Sequence, residues 1–162
     1  MIDSYFLLDN NVVSHLSQAQ LDSAFLETQC RIPSEVLHEA GDRAELRKIE
    51  YPTSVAMLEA LKEVMQTVDP SDTSLINLYA NKGNADPLIV ACALAEIRQS
   101  ADVLIAPSWI VVSNDLAVRD KSKLLGVSAL GRDDFSRRPR ACGTDYSLPL
   151  TCNFHTVYKS LS

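Results

Sequence analysis

Residues 5–13 read YFLLDNNVV, and this stretch carries the first information on the fold. An apolar run from Tyr5 to Leu8 stops at Asp9 and two asparagines. A short apolar run that ends at polar turn-forming residues predicts a buried β-strand. The carboxylate at the end of this strand has two explanations: it caps a following helix, or it belongs to a functional cluster of acids.

The rest of the chain alternates between strands and helices. Further strands are predicted at 66–69, at 109–115, which again ends in Asn and Asp, and at 127–130. Helices are predicted at about 10–16 with Asn10 or Asn11 as N-cap, 20–28, 32–49, 52–65, 69–83, 84–100 and 116–126. Such alternation predicts an α/β fold with a parallel sheet covered on both faces. Active sites in these sheets lie beyond the carboxyl ends of the strands, where we expect Asp9 and Asp115 to meet.

Composition indicates one ordinary globular domain. The chain has 162 residues, of which 46% are hydrophobic and 22% charged, enough for a substantial core. The net charge of −6 argues against a protein held to nucleic acid by bulk charge alone. It leaves open an enzyme that meets an anionic substrate through metal ions or a local basic patch.

Targeting signals are the next question. The N-terminus has an early Asp3 and no basic region, so we expect no signal peptide. No apolar stretch approaches the roughly 18 residues of a membrane span. Without a secretory signal, the four cysteines are interpreted as thiols in a reducing compartment. We therefore expect a cytoplasmic protein with no membrane partner.

Four acidic residues stand at element boundaries or on a predicted buried helix face: Asp9, Glu39, Asp86 and Asp115. Each has a simple structural explanation. Asp86 before Pro87 is typical of an N-cap, which stabilises a helix by about 1 kcal/mol. Asp115 is placed to cap a helix in the same way. Glu39 suits the solvated face of an amphipathic helix. Together, however, carboxylates at one end of a sheet repel each other unless a cation binds them. Hard divalent cations choose such oxygen ligands.

Four segments resemble, in order, the four acidic motifs of PIN domains: FLLDNNVVSHL, IPSEVLHEAGD, GNADPLIVACAL and VVSNDLAVRDKSKLLGV. The resemblance covers roughly residues 4–130. PIN domains are metal-dependent ribonucleases, and many bacterial members are VapC-type toxins paired with an antitoxin. The resemblance implies a three-layer α/β/α fold with a central, mainly parallel sheet.

The resemblance also implies a site and a reaction. Carried over residue by residue, the catalytic residues and ligands of Mg²⁺ or Mn²⁺ are Asp9, Glu39, Asp86 and Asp115. Asn11 and Asn114 would be polar neighbours that orient ligands or substrate. The implied reaction is metal-assisted hydrolysis of an RNA phosphodiester. None of the three histidines occupies a motif position, so no histidine base is predicted.

Several alternatives stay open. Asp120 and Asp102 compete with Asp115 for the fourth acidic position, and Glu35 competes weakly with Glu39. A haloacid-dehalogenase-like phosphatase also begins with a strand-end Asp, but it needs a second Asp where this chain has Asn11. A catalytically silent PIN-like binding module is the non-enzyme alternative. These residues do not separate a toxin from an RNA-processing nuclease, although the small size favours a toxin.

The C-terminal part differs from the rest. Residues 1–131 are predicted to form the nuclease domain, and 132–162 an irregular tail that packs on the domain or on a partner. Its basic cluster, which comprises Arg132, Arg137, Arg138 and Arg140, is expected to contact RNA phosphates or a partner. Cys142, Cys152 and His155 lack the close spacing of strong zinc sites. The expected partners are RNA, an antitoxin protein and a second copy of the chain.

Overall fold

The structure, a computed structural model, describes residues 4–69, 71, 75 and 86–137. Within these residues one sheet has five parallel strands in the order β3-β2-β1-β4-β5. The strands are β1 Ser4–Leu8, β2 Cys30–Pro33, β3 Glu50–Tyr51, β4 Ser108–Val112 and β5 Ser128–Leu130. The helices are α1 Asn10–Val13, α2 Gln18–Leu21, α3 Ala24–Gln29, α4 Ser34–Glu39, a 3₁₀ helix at Ala44–Ile49, α5 Val55–Gln66, α6 Asp86–Gln99, α7 Leu116–Leu124 and α8 Arg132–Arg137.

Helices cover both faces of the sheet. Tyr5 and Phe6 are successive residues of β1, so their side chains point to opposite faces. Tyr5 stacks on Trp109 of β4 with ring centroids 4.8 Å apart, on the face where α6 contacts β1 and β4. Phe6 packs on the other face against Phe25 of α3 and Phe135 of α8. The predicted three-layer α/β/α class with a parallel sheet is therefore confirmed.

The strand order reverses at the centre of the sheet. β1 pairs with β2 on one side and with β4 on the other, and Leu8 lies opposite Val112 in the β1–β4 register. In open parallel sheets the crevice beyond the strand ends at such a reversal is the usual ligand site. Asp9 follows Leu8 directly, and its backbone N–H donates to the carbonyl of Val112 at 3.0 Å. The fold therefore places Asp9 in this crevice.

Most of the predicted helices and strands are confirmed, α6 most clearly. Every residue from Pro87 to Ala95 in α6 is buried, as expected for a helix that is apolar nearly all round. α7 is followed by Gly126 with φ 75°, a left-handed conformation that favours glycine and ends helices. Among the described residues no helix is long and apolar enough to cross a membrane.

The prediction of one helix over 32–49 is wrong. Ile32 and Pro33 belong to β2, which pairs with both β1 and β3. α4 then ends before Gly41 and Asp42, which have φ angles of 81° and 49°. Two successive left-handed residues cannot continue a right-handed helix, so the chain resumes as the separate 3₁₀ helix.

Three other local predictions need correction. The predicted helix at 20–28 is divided into α2 and α3, because Ser23 caps α3 by accepting from the N–H of Leu26 at 3.3 Å. The predicted strand at 66–69 is wrong, since Gln66 still belongs to α5 and the residues after it pair with no strand. Most of the predicted helix at 69–83 lies outside the described residues.

The segment after residue 131 begins as a helix. Phe135 of α8 is only 8% exposed, with its ring 5.3 Å from that of Phe6 and 5.9 Å from that of Phe25. Residues 132–137 are thus an ordered part of the core layer, and the expectation of irregular structure is wrong for them. Residues 138–162, with Arg138, Arg140, Cys142, Cys152 and His155, lie outside the described residues.

Candidate functional site

Asp9 is the buried centre of a polar network at the ends of β1 and β4. It is 5% exposed, and its Oδ2 accepts hydrogen bonds from Ser113 Oγ at 2.5 Å and Asn11 Nδ2 at 2.6 Å. Asp9, and not Asn10 or Asn11, holds the N-cap position of α1, yet its side chain makes no capping hydrogen bond. The predicted asparagine cap is therefore wrong, and capping does not explain the buried carboxylate.

Ser113 joins the two strand ends and was not predicted from the sequence. Its side chain is fully buried. While its hydroxyl donates to Asp9, its Oγ accepts from Asn11 Nδ2 at 3.3 Å and from the backbone N–H of Asp115 at 3.0 Å. The available signal was the repetition of a polar triplet after each buried strand, Asp-Asn-Asn after β1 and Ser-Asn-Asp after β4.

The two predicted polar neighbours lie in the same network. Asn11 Oδ1 accepts from the backbone N–H of Asn114 at 3.0 Å. Asn114 Oδ1 in turn accepts from the backbone N–H of Arg132, at the start of α8, at 2.9 Å. Asn11 therefore contacts Asp9 directly, whereas Asn114 links the network to the segment that leads into α8.

Asp86 is the residue on which the other three predicted acids act together. It begins α6 and is partly buried. Burial, followed by the negative charges of Asp9, Asp115 and Glu39, raises its pKa from 3.8 to about 7. The pKa of Asp9 is also raised, mainly by burial and also by Asp115, while the hydrogen bond from Ser113 opposes the rise. Four acids from separate elements thus share one electrostatic environment.

The electrostatic environment of Asp86 distinguishes between the candidates for the fourth acidic position. Asp115 is the N-cap of α7, and its Oδ1 accepts from the N–H of Ala117 at 2.7 Å, so the capping explanation holds for one of its oxygens. Asp120 is exposed on α7, with its Oδ1 3.6 Å from Lys123 Nζ. Asp115, and not Asp120 or the exposed Asp102, is among the charges that raise the pKa of Asp86.

Glu39 and Glu35 differ in the same way. Glu39 is the last residue of α4 and is exposed, and its charge acts on Asp86. Glu35 lies one turn earlier, where its Oε1 accepts from Thr53 Oγ1 at 2.6 Å. Electrostatic proximity to Asp86 therefore favours Glu39 as the member of the cluster.

The donor set is chemically suited to a hard divalent cation. All four groups are carboxylates. The pKa of Asp86 is raised first by burial and then by neighbouring negative charge, which a cation would neutralise. Among residues 4–69, 71, 75 and 86–137, however, no three His, Cys, Asp or Glu side chains are arranged as a ready-made metal site. Mg²⁺ keeps several waters and commonly uses only one or two carboxylates, so such a cage of three ligands is not required.

The predicted basic contacts are only partly within the described residues. Arg137 is exposed on α8, with its Nη1 3.8 Å from Asp134 Oδ1. Its exposure leaves it accessible to a partner, although the described residues place it in no contact with the acidic cluster. Arg138 and Arg140 lie beyond the described part of the chain.

Comparison with known proteins adds no family assignment. Searches of the chain against protein-family models and against curated proteins found no significant match. The relation to PIN domains therefore depends on the motif resemblance, and the function is argued from the site.

Proposed function

We propose that this protein is a Mg²⁺- or Mn²⁺-dependent endoribonuclease of the PIN type. The main supporting observation is the carboxyl of Asp86, whose pKa is raised to about 7 by burial and by three further carboxylates. The cluster lies at the reversal point of a parallel sheet, where such folds bind ligands. Strongly perturbed acids in such a place are typical of functional sites.

The proposed roles follow from the position of each side chain. Asp9, Asp86 and Asp115 bind the metal, and Glu39 binds it or holds one of its waters. The bound ion would lower the pKa of a coordinated water and stabilise negative charge on the scissile phosphate. The hydrogen bonds to Asp9 Oδ2 favour the ionised form of this carboxyl, which is the form that binds a cation. Asn11 and Ser113 therefore orient Asp9 and oppose the rise in its pKa that burial causes.

The phosphatase alternative receives less support from the same contacts. That chemistry needs a second carboxylic acid two residues after the first, to protonate the leaving group. This position holds Asn11, whose Nδ2 donates to Asp9. An amide cannot supply that proton, so the contact favours the nuclease.

The test is a cleavage assay on mixed cellular RNA with Mg²⁺, with Mn²⁺ or with EDTA. Asp86→Asn is assayed in parallel, and Asp120→Asn serves as the matched control because it removes an exposed acid outside the cluster. We expect metal-dependent cleavage by the wild type and by Asp120→Asn, and none by Asp86→Asn. Folding of every variant is checked by circular dichroism.

Three results would contradict the proposal of a metal-dependent ribonuclease at this cluster. Absence of cleavage, together with no Mn²⁺ binding in a calorimetric titration, would favour the silent binding module. A trapped aspartyl-phosphate on Asp9 would favour the phosphatase. Cleavage that persists equally in EDTA and in Asp86→Asn would separate the activity from this cluster.

We further propose that the chain is a cytoplasmic toxin, with an antitoxin protein as partner, and that it forms a homodimer. The motif resemblance supports this. Expression of the intact chain alone should slow cell growth, and Asp9→Asn should relieve the effect while Asp120→Asn should not. Equal growth with wild type and Asp9→Asn would remove the toxin hypothesis. Sedimentation of the purified chain tests the homodimer.

A further inference from the structure

A basic side chain lies next to the acidic network. Arg119 is in α7, one turn after Asp115, and is partly buried. Its Nη1 donates to the backbone carbonyl of Ser113 at 3.4 Å, and the hydroxyl of the same Ser113 donates to Asp9. Ser113 thus contacts both the guanidinium of Arg119 and the buried carboxylate of Asp9.

Most of the hydrogen-bonding capacity of Arg119 is unused by the described residues. A guanidinium has five N–H donors, and the contact with Ser113 is the one side-chain hydrogen bond that Arg119 makes within the described part of the chain. It forms no ion pair with a carboxylate there. It is also not among the groups that shift the pKa of Asp86. Its positive charge is therefore not used to neutralise the acidic cluster.

Gly131 provides the space that the guanidinium occupies. A Cβ added at Gly131 would lie 2.9 Å from Arg119 Nη1 and 3.9 Å from Asn114 Oδ1. The φ of Gly131 is outside the left-handed region, so the backbone itself does not require glycine here. Glycine at this position allows the arginine to lie close to the chain just after β5.

We propose that Arg119 binds a phosphate of the RNA backbone beside the metal site and so positions the substrate. This inference rests on the ribonuclease function proposed above. A chain of net charge −6 with an acidic active site repels polynucleotides, so binding requires local cations. A guanidinium whose forked donors are mostly unused within the described part of the chain matches phosphate geometry, and such backbone contacts set the register of a nucleic acid.

The test measures binding of a fluorescent single-stranded oligoribonucleotide of mixed sequence. Anisotropy titrations are made over a range of KCl concentrations, in EDTA to prevent metal-dependent cleavage. The variants are Arg119→Gln, Arg119→Lys and Gly131→Ala. Lys123→Gln is the matched control, because it removes the same charge from an exposed position on the same helix. Thermal unfolding verifies that each variant is folded.

We expect Arg119→Gln to weaken binding roughly tenfold, as for loss of one charged hydrogen-bonding contact. The slope of log Kd against log salt should fall by about 0.7, the contribution of one phosphate contact to a single strand. Gly131→Ala keeps the charge but displaces the guanidinium, so it should also weaken binding. Arg119→Lys should lie between wild type and Arg119→Gln. In the cleavage assay Arg119→Gln should mainly raise KM.

The outcomes separate this inference from the proposed function. If the wild type binds and cleaves RNA but Arg119→Gln keeps the wild-type affinity and salt slope, the role of Arg119 is wrong and the nuclease stands. Equal losses in Arg119→Gln and Lys123→Gln would show that bulk charge matters and not this contact. If the wild type neither binds nor cleaves RNA, the proposed function fails and this inference fails with it.

Discussion

Asp86 makes the stability of the metal-free protein depend on pH in an unusual direction. Its pKa is about 7 in the folded state, against an ordinary value of 3.8. Between these two pH values the unfolded chain has lost the proton while the folded protein keeps it. The stabilising contribution is therefore fully present below about pH 3.8 and is lost as pH rises through the folded pKa. At about 1.4 kcal/mol for each pH unit, the full effect is roughly 4 kcal/mol. This is an upper limit, because Asp86 is partly accessible to solvent.

The perturbation that isolates this effect is Asp86→Asn. In EDTA, the free energy of unfolding of the wild type should contain a component that falls from about pH 4 to pH 7 and then levels off. The variant lacks this component. Its advantage over the wild type should therefore grow across this interval to at most roughly 4 kcal/mol. Urea unfolding followed by circular dichroism measures it, with Asp120→Asn as the exposed-acid control.

A divalent cation should reverse which of the two proteins, wild type or Asp86→Asn, has the larger free energy of unfolding. Cations favour ionised carboxylates, so Mn²⁺ added above pH 7 should stabilise the wild type more than Asp86→Asn. The reasoning would be refuted if the difference between the two proteins stayed constant across the pH interval in EDTA. It would also be refuted if Asp120→Asn reproduced the effect, since that acid lies outside the cluster.

Three further predictions concern Ser113 in the site, Gly126 after α7 and Phe135 in α8, with Ser122→Ala as the control for Ser113→Ala. Ser113→Ala removes the hydroxyl that donates to Asp9 and should cost about 1–3 kcal/mol and weaken Mn²⁺ binding by calorimetry. Ser122 is a buried serine whose hydroxyl bonds within α7, so Ser122→Ala should leave Mn²⁺ affinity unchanged. Equal losses of Mn²⁺ affinity in Ser113→Ala and Ser122→Ala would refute the positioning role of Ser113. Gly126 has a φ of 75°, and no atom lies near a Cβ added there. Gly126→Ala should therefore lower the free energy of unfolding by about 1–2 kcal/mol, and an unchanged melting temperature would contradict this. Phe135→Ala should cost about 3–5 kcal/mol in urea unfolding, whereas a negligible loss would place α8 outside the core.

The amino-acid sequence alone determined those helices and strands whose pattern of apolar, capping or glycine residues lies within the element or directly beside it. The apolar run of β1, the apolar surface of α6 and the glycine after α7 predict those elements without their neighbours. β2 was not predicted, because Cys30–Pro33 is too short and its residues match a helix start equally well. It becomes a strand because β1 and β3 lie beside it and pair with its backbone.

The candidate site shows the same division. The sequence alone placed Asp9, Asp86 and Asp115 at element boundaries, because capping and strand-end signals are local. It left Asp115 and Asp120 as competitors and did not indicate Ser113. The pairing of Leu8 with Val112 joins parts of the chain about a hundred residues apart and brings Ser113 to Asp9. The charge of Asp115, and not that of Asp120, then acts on Asp86. Strand register depends on long-range backbone hydrogen bonds and on packing under the sheet, so only the tertiary structure determines which side chains meet.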